Sequence, residues 1–183
     1  MDILRTPLND VVVVKTSQTT DARGAFARLF CEESLKPHVQ GRRIVQINFS
    51  HTRQAGAIRG LHYQTAPYAE MKLIRCIRGK VWDVVVDLRK DSGTFLHWHA
   101  EELTPSNGHM LIVPEGFAHG FQVLEPASEM LYLHTAPYMP SAEGGLAYND
   151  PRLAIDWPLP PTDISTADRQ RSTIPPDFTG LSL

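Results

Sequence analysis

The chain has 183 residues, with 18 Lys plus Arg against 20 Asp plus Glu and a formal net charge of −2. That length fits one compact domain of the usual ~100–200 residues. Charges of both signs are interspersed, which excludes the basic footprint of a nucleic-acid or membrane-surface protein and points to a small-molecule partner.

The N-terminal stretch MDILRTPLNDVVVVKTS has a four-valine run but lacks the charged start, long apolar segment and cleavage site of a secretory signal. No window approaches the ~20 apolar residues that span a bilayer. The expected compartment is the cytoplasm. Cys31 and Cys76 are the only cysteines, too few and too far apart for a disulfide scaffold or a thiolate metal site, and both read as buried packing residues.

From Ile44 onward the chain divides into RIVQINFS, AIRGLHYQ, KLIRCIRG, KVWDVVVDLR, FLHWHAEEL, HMLIVPEG, FAHGFQVL and MLYLHT. Each segment is short, rich in β-branched or aromatic residues and closed by Gly, Pro or charged turns, so each predicts a strand; no long helical period occurs. In KVWDVVVDLR, Trp82, Val84, Val86 and Leu88 alternate with Asp83 and Asp87. This is the period-2 pattern of a strand with one packed face and one able to carry polar groups. Many short strands with frequent turns predict a sandwich or a barrel, the jelly roll being the form whose interior can hold a ligand. After Asp150 the composition turns to Pro, Asp, Ser and Thr, and DWPLPP and TIPPDF bracket a short helix predicted from Ser165. Such a segment cannot build its own core, so residues 151–183 are expected to form a tail packed on the barrel, within a single domain over residues 1–183.

Two Gly-punctuated segments carry histidines. The first runs Gly56-Ala-Ile-Arg59-Gly60-Leu-His62-Tyr63-Gln64 and the second Gly108-His-Met-Leu-Ile-Val-Pro114-Glu-Gly116-Phe-Ala-His119. Their spacings resemble the cupin motifs G-x5-H-x-H and G-x5-P-x-G-x2-H. The first departs where a metal would bind, because Gln64 replaces the second histidine and Glu70 is not at the usual interval. Transition metals are held by imidazoles and carboxylates together, and Gln is a weak ligand, so no metal site is expected. Taken singly, each histidine also reads as an ordinary hydrogen-bonded strand residue.

Read outward from these motifs, Arg-Gly-Leu-His-Tyr-Gln, KLIRCIRGKVWDVVVDLR and PEGFAHGF resemble the dTDP-4-dehydrorhamnose 3,5-epimerase family, near-continuously from about Arg23 to Asp168. The resemblance implies a mainly β cupin fold, a double-stranded β-helix or jelly-roll barrel with a few short helices. It implies a homodimer that works without metal or organic cofactor. The implied activity is that of an isomerase acting on a nucleotide-sugar substrate, inverting C3, C5 or both of a 4-keto-6-deoxy sugar and so converting dTDP-4-dehydro-6-deoxyglucose to dTDP-4-dehydrorhamnose.

A ketone at sugar C4 acidifies the hydrogens on C3 and C5, because the anion left behind spreads onto the carbonyl oxygen as an enolate. Inversion then needs a base on one face and an acid on the other. Imidazole, with an unperturbed pKa of ~6.5, suits the base near neutral pH. The resemblance assigns that base to His62, and makes Asp168 the carboxylate that orients the ring and supports its charged form. Ser165, three residues before Asp168, is also close to a capping box, in which the acid would serve only the helix start; Asp83 is the next candidate for the orienting group. Lys72, with alternating neighbours Ile74 and Cys76, is either an inward ammonium facing the developing oxyanion or a solvated edge lysine. Tyr138 corresponds to the family tyrosine that returns the proton from the opposite face; an unperturbed phenol, pKa ~10, is protonated at neutral pH. Tyr132 is a substrate contact or packing residue.

By resemblance Arg59 contacts the pyrophosphate, which its planar fork can grip bidentately. Arg23, Gln46, Asn48 and His119 fall where the family places sugar or nucleotide contacts, although Arg23 in Asp-Ala-Arg-Gly also reads as a plain turn residue. The usual Gln-Asp-Asn-His-Ser is here Gln46-Ile47-Asn48-Phe49-Ser50, and the customary Glu-Arg-Gly-Ile followed by Trp is Glu143-Gly144-Gly145-Leu146-Ala147-Tyr148. Both loops, Glu143 included, are expected to shape the pocket. The departures leave the reaction class in place but keep open which sugar is bound and how many centres invert. Competing readings are an epimerase of C3 or C5 alone on another nucleotide sugar, a 3,4-ketoisomerase, a metal-dependent cupin such as a dioxygenase, and a non-catalytic sugar-binding module.

Overall fold

All eight apolar segments form strands in a computed structural model that describes residues 1–183: β5 (Gln46–Thr52), β6 (Ile58–Gln64), β7 (Lys72–Arg78), β8 (Val81–Asp87), β9 (Trp98–Leu103), β10 (His109–Val113), β11 (Phe117–Val123) and β12 (Ser128–His134). Before them come β1 (Asp2–Arg5), β2 (Val12–Lys15), the hairpin of β3 (Gln18–Asp21) and β4 (Gly24–Ala27), and the helix α1 (Glu32–Val39); after them come β13 (Glu143–Gly145) and α2 (Thr166–Arg169). Helix α1 escapes a periodicity search because it spans only eight residues and contains Pro37. Glu32 and Glu33 sit in its first turn, where the helix dipole favours negative charge.

The strands assemble into a six-stranded sheet, β1-β2-β10-β7-β12-β5, and a five-stranded sheet, β13-β6-β11-β8-β9, with antiparallel pairing throughout. Their facing sides interdigitate as Val13, Ile74, Val85, Leu111, Phe121 and Met130, among others. The result is the mainly β, jelly-roll architecture. Each sheet also has a covered outer side. Leu35 and Val39 of α1 pack on Leu73, Met110 and Leu133 of the first sheet. Leu153, Ile155 and Ile174 of the C-terminal segment pack on Leu61, Val84, Val86 and Leu88 of the second.

Strand β8 therefore differs from the expected half-polar strand. Its even residues lie under the C-terminal segment, and Asp83 and Asp87 on the other face are both fully buried. They are tolerated because each is hydrogen-bonded, Asp83 to His119 and Asp87 to Arg89, Ser92 and Thr94. Cys76 is buried as expected, whereas Cys31 is half-buried at the N-cap of α1.

The C-terminal segment is tied down by more than apolar contact. The buried Asp150 carboxylate accepts the Ile174 N–H at 2.5 Å, and the Ile58 N–H donates to the Asp163 carbonyl at 2.9 Å. Truncating a buried aliphatic side chain typically costs about 2–5 kcal/mol. Ile174→Ala is expected to lower the urea midpoint within one cooperative transition. An unchanged midpoint would mean that the segment contributes nothing to the core.

Candidate active site

A cavity of about 670 Å³ is walled by β5, β6, β7, β11, β12 and the C-terminal segment. That volume suits a small organic ligand. The pairing of β6 with β11 sets His62 opposite His119, so the two Gly-punctuated motifs meet on one wall. Of the residues singled out from the sequence, Asn48, Arg59, His62, Lys72, His119, Tyr132, Tyr138, Glu143 and Asp168 line this cavity.

His62 Nε2 lies 2.5 Å from Asp168 Oδ1. The parallel bridge between Ile58 and Ile164 runs the C-terminal segment alongside β6 and delivers α2 to this point. Asp168 does two jobs with different atoms. Its backbone N–H donates to the Ser165 hydroxyl at 3.0 Å, capping α2, while its carboxylate faces His62 and accepts the Gly60 N–H at 3.4 Å. Burial alone would raise the carboxyl, but the hydrogen bond with His62, aided by those of Ser165 and Gly60, holds it below the usual carboxylate range. The other candidate carboxylate, Asp83, is committed elsewhere: its oxygens lie 3.0 and 2.9 Å from His119 Nε2. Complete burial raises the Asp83 carboxyl despite that neighbour.

Lys72 is buried, which removes the solvated-edge reading. Its Nζ stands 3.4 Å from both the His62 carbonyl and Glu70 Oε1. Glu70 in turn holds His134 Nδ1 at 2.6 Å; burial raises the carboxyl, but the hydrogen bond with His134 and the Lys72 ammonium outweigh it and the net shift is downward. Glu70 is thus one half of an ion-pair network. No group of three or more His, Cys, Asp or Glu side chains is arranged to hold a metal ion.

Tyr132 is bonded to the Ser50 hydroxyl at 2.9 Å, and burial raises its phenol. Tyr138, 54% exposed, donates to Glu143 Oε2 at 2.6 Å, and this bond raises its phenol. The other Glu143 oxygen accepts from Arg171, and these contacts outweigh burial and hold the carboxyl below its usual value, the bond to Tyr138 acting most strongly. Arg59 sits at the cavity rim, braced by the Thr52 hydroxyl at 2.9 Å.

Two of the expected contacts lie outside the lining of this chain's cavity. Gln46 is not among the lining residues: its side chain accepts the Tyr138 N–H at 3.0 Å and donates to Asn48 at 3.1 Å, so it braces two residues that are. Arg23 lies in the β3–β4 turn, exposed and paired with Asp21 at 2.6 Å, away from this chain's cavity. The motif reading missed His134 and Arg171, and took Ser50 only as part of a pocket-shaping loop that is here strand β5. His134 shares the parity of Tyr132 on β12, and Ser50 that of Asn48 on β5, a signal that was present; Arg171 follows α2 in irregular chain and gave none.

The family model for dTDP-4-dehydrorhamnose 3,5-epimerase matches residues 5–175. The chain belongs to this family. It is 44% identical over 159 residues to a dTDP-4-dehydrorhamnose 3,5-epimerase of Neisseria gonorrhoeae, a match covering 87% of this chain but 48% of that protein. The chain thus spans about half the length of that relative. The Bacillus anthracis dTDP-4-dehydrorhamnose 3,5-epimerase structure with TDP and PPi bound superposes with a TM-score of 0.91 at 36% identity, over 94% of this chain and 99% of that one. A Legionella pneumophila epimerase in complex with dTDP-4-keto-L-rhamnose gives 0.92 at 33%, over 100% and 98%.

The depressed Asp168 carboxyl links the site to stability. A carboxyl whose folded pKa lies below its ordinary value stabilises the fold above that value and stops doing so as pH falls through the folded pKa. For Asp168 the loss falls below pH 3.8. Asp168→Asn is expected to be less stable than the parent at neutral pH, and the gap, measured by urea unfolding, should close below that pH. A gap independent of pH would contradict the pairing.

Proposed function

We propose that this family member is an epimerase acting on a nucleotide-linked 4-keto-6-deoxy sugar, taking dTDP-4-dehydro-6-deoxyglucose to dTDP-4-dehydrorhamnose. The observation that carries the reading is the His62–Asp168 pair on the wall of a cavity that also presents Lys72 and Tyr138. The ligands named for the Bacillus anthracis and Legionella pneumophila relatives support the substrate class.

With Nε2–H donated to Asp168, the lone pair of His62 is on Nδ1. His62 removes the proton beside the ketone, and Asp168 stabilises the imidazolium formed. Charge moves to the ketone oxygen, where the buried Lys72 ammonium offsets it far better than water would. Tyr138 supplies a proton to the opposite face of the enolate. Arg59 at the rim is the group suited to the pyrophosphate.

The same reading includes one domain over residues 1–183, a cytoplasmic setting and a homodimer. No helix is long and apolar enough to cross a membrane. Ile47 and Phe49 on the edge strand β5 and Phe26 on the β3–β4 hairpin are large apolar residues left exposed, and exposed apolar groups of this kind suit contact with a second copy. The hairpin also carries Arg23, for which a second copy's substrate is the contact left open.

Incubation with dTDP-4-dehydro-6-deoxyglucose in deuterated water tests the reaction. Label at C3, C5 or both with the ketone still at C4 is expected, and the labelled positions count the centres inverted. Movement of the ketone to C3 would identify a ketoisomerase instead. Removing a general base typically costs about 10²–10⁴-fold, so His62→Ala should lose at least that factor in both exchange and inversion. Undiminished exchange in that variant would end the assignment of the base.

A further inference from the structure

Tyr138 meets its proposed task under an awkward electrostatic condition. Its hydroxyl donates to the Glu143 carboxylate at 2.6 Å. A phenol bound in this way is held protonated, and giving up its proton would leave a phenolate beside a carboxylate, two like charges at contact distance. An acid so placed is a reluctant one unless a cation offsets the carboxylate.

Arg171 is in position to do so. Its Nη2 donates to the Glu143 oxygen that Tyr138 does not use. The local chain makes room for it: a Cβ on Gly145 would lie 2.5 Å from Arg171 Nε, and one on Gly144 would lie 2.4 Å from the Tyr63 ring. The consecutive glycines leave the space in which the guanidinium and the Tyr63 ring sit against β13. Arg171 Nε is buried and donates to no protein group, so Glu143 is the one anionic partner the side chain has among the ion pairs of the structure.

Resting on the epimerase reading, we infer that Arg171 is a positioning residue for the second proton transfer, holding Glu143 and offsetting its charge so that Tyr138 can act as an acid. In that step the Oη–H bond of Tyr138 breaks and its electron pair stays on oxygen. The enolate carbon pair takes the proton to form the new C–H bond. Arg171 moves no proton itself; it lowers the cost of the phenolate through the carboxylate between them.

The test is the partition between exchange and inversion. In deuterated water, enolate reprotonated by His62 returns as labelled, uninverted substrate, whereas enolate protonated by Tyr138 leaves as product. Arg171→Gln is expected to raise the ratio of exchange to inversion by roughly tenfold or more, within the range that a general acid contributes, with KM little changed. Arg171→Lys, which keeps the charge, should restore most of the parent ratio. A raised KM with an unchanged ratio would make Arg171 a substrate contact and overturn the inference. Equal losses of exchange and inversion, with a lowered melting temperature and no rescue by Lys, would reduce it to a structural residue and overturn it too. Parent protein that performs neither exchange nor inversion would sink the epimerase reading itself, a failure visible before any variant is made.

Discussion

The contact between His62 and Asp168 joins residues 106 positions apart in the sequence, and much of the molecule is arranged to make it. His62 is fixed by strand pairing on both sides, to β11 through His119 and to β13 through Gly145. Asp168 is fixed by the C-terminal segment, which Asp150, the Ile58–Ile164 bridge and the apolar layer over β8 hold against the second sheet. A barrel without that segment would retain the imidazole and lose the group that orients it. The packing of an irregular, Pro-rich stretch is therefore as much a part of the site as the strands are.

Charge pairing is the second constraint. Four carboxylates at the cavity are matched with cations or imidazoles: Asp168 with His62, Asp83 with His119, Glu70 with Lys72 and His134, Glu143 with Arg171. Burying an unpaired charge is costly, whereas a paired and hydrogen-bonded one is tolerated. The pairs also divide the labour. Under the proposed function Asp168 supports the base, Glu143 engages the phenol, and the Glu70 network holds the Lys72 ammonium in the cavity wall before any substrate charge develops there. Such prior organisation is what makes a fixed charge more effective than mobile water.

The strand segments were legible because each is short, apolar and ended by turn residues, and the two Gly-His motifs stood out by their resemblance to cupin spacings, although only the pairing of β6 with β11 sets them on one wall. Parity grouped Lys72 with Ile74 and Cys76 but left it either inward or at a solvated edge, and its burial decides for the inward face. What parity could not give was partnership. Asp83 and Asp168 were both available as orienting carboxylates, and the choice depended on the register of β8 against β11 and on the path of the C-terminal segment, neither of which is written locally. The same limit explains Arg171, which acquires its role from a chain crossing, and Gln46, which lies one strand-face step from the cavity but turns to brace Tyr138. Helix α1 was hidden for a different reason: eight residues with a proline carry too little period to read.

The most direct measurement of the central claim is a double-mutant cycle on turnover with His62→Ala, Asp168→Asn and the two combined. Groups that act as one unit lose their effect together. If the carboxylate works through the imidazole, the double variant should be no slower than His62→Ala alone. Losses that multiply would mean that Asp168 serves the helix cap or some other function, and that its pairing with His62 is not what drives the reaction.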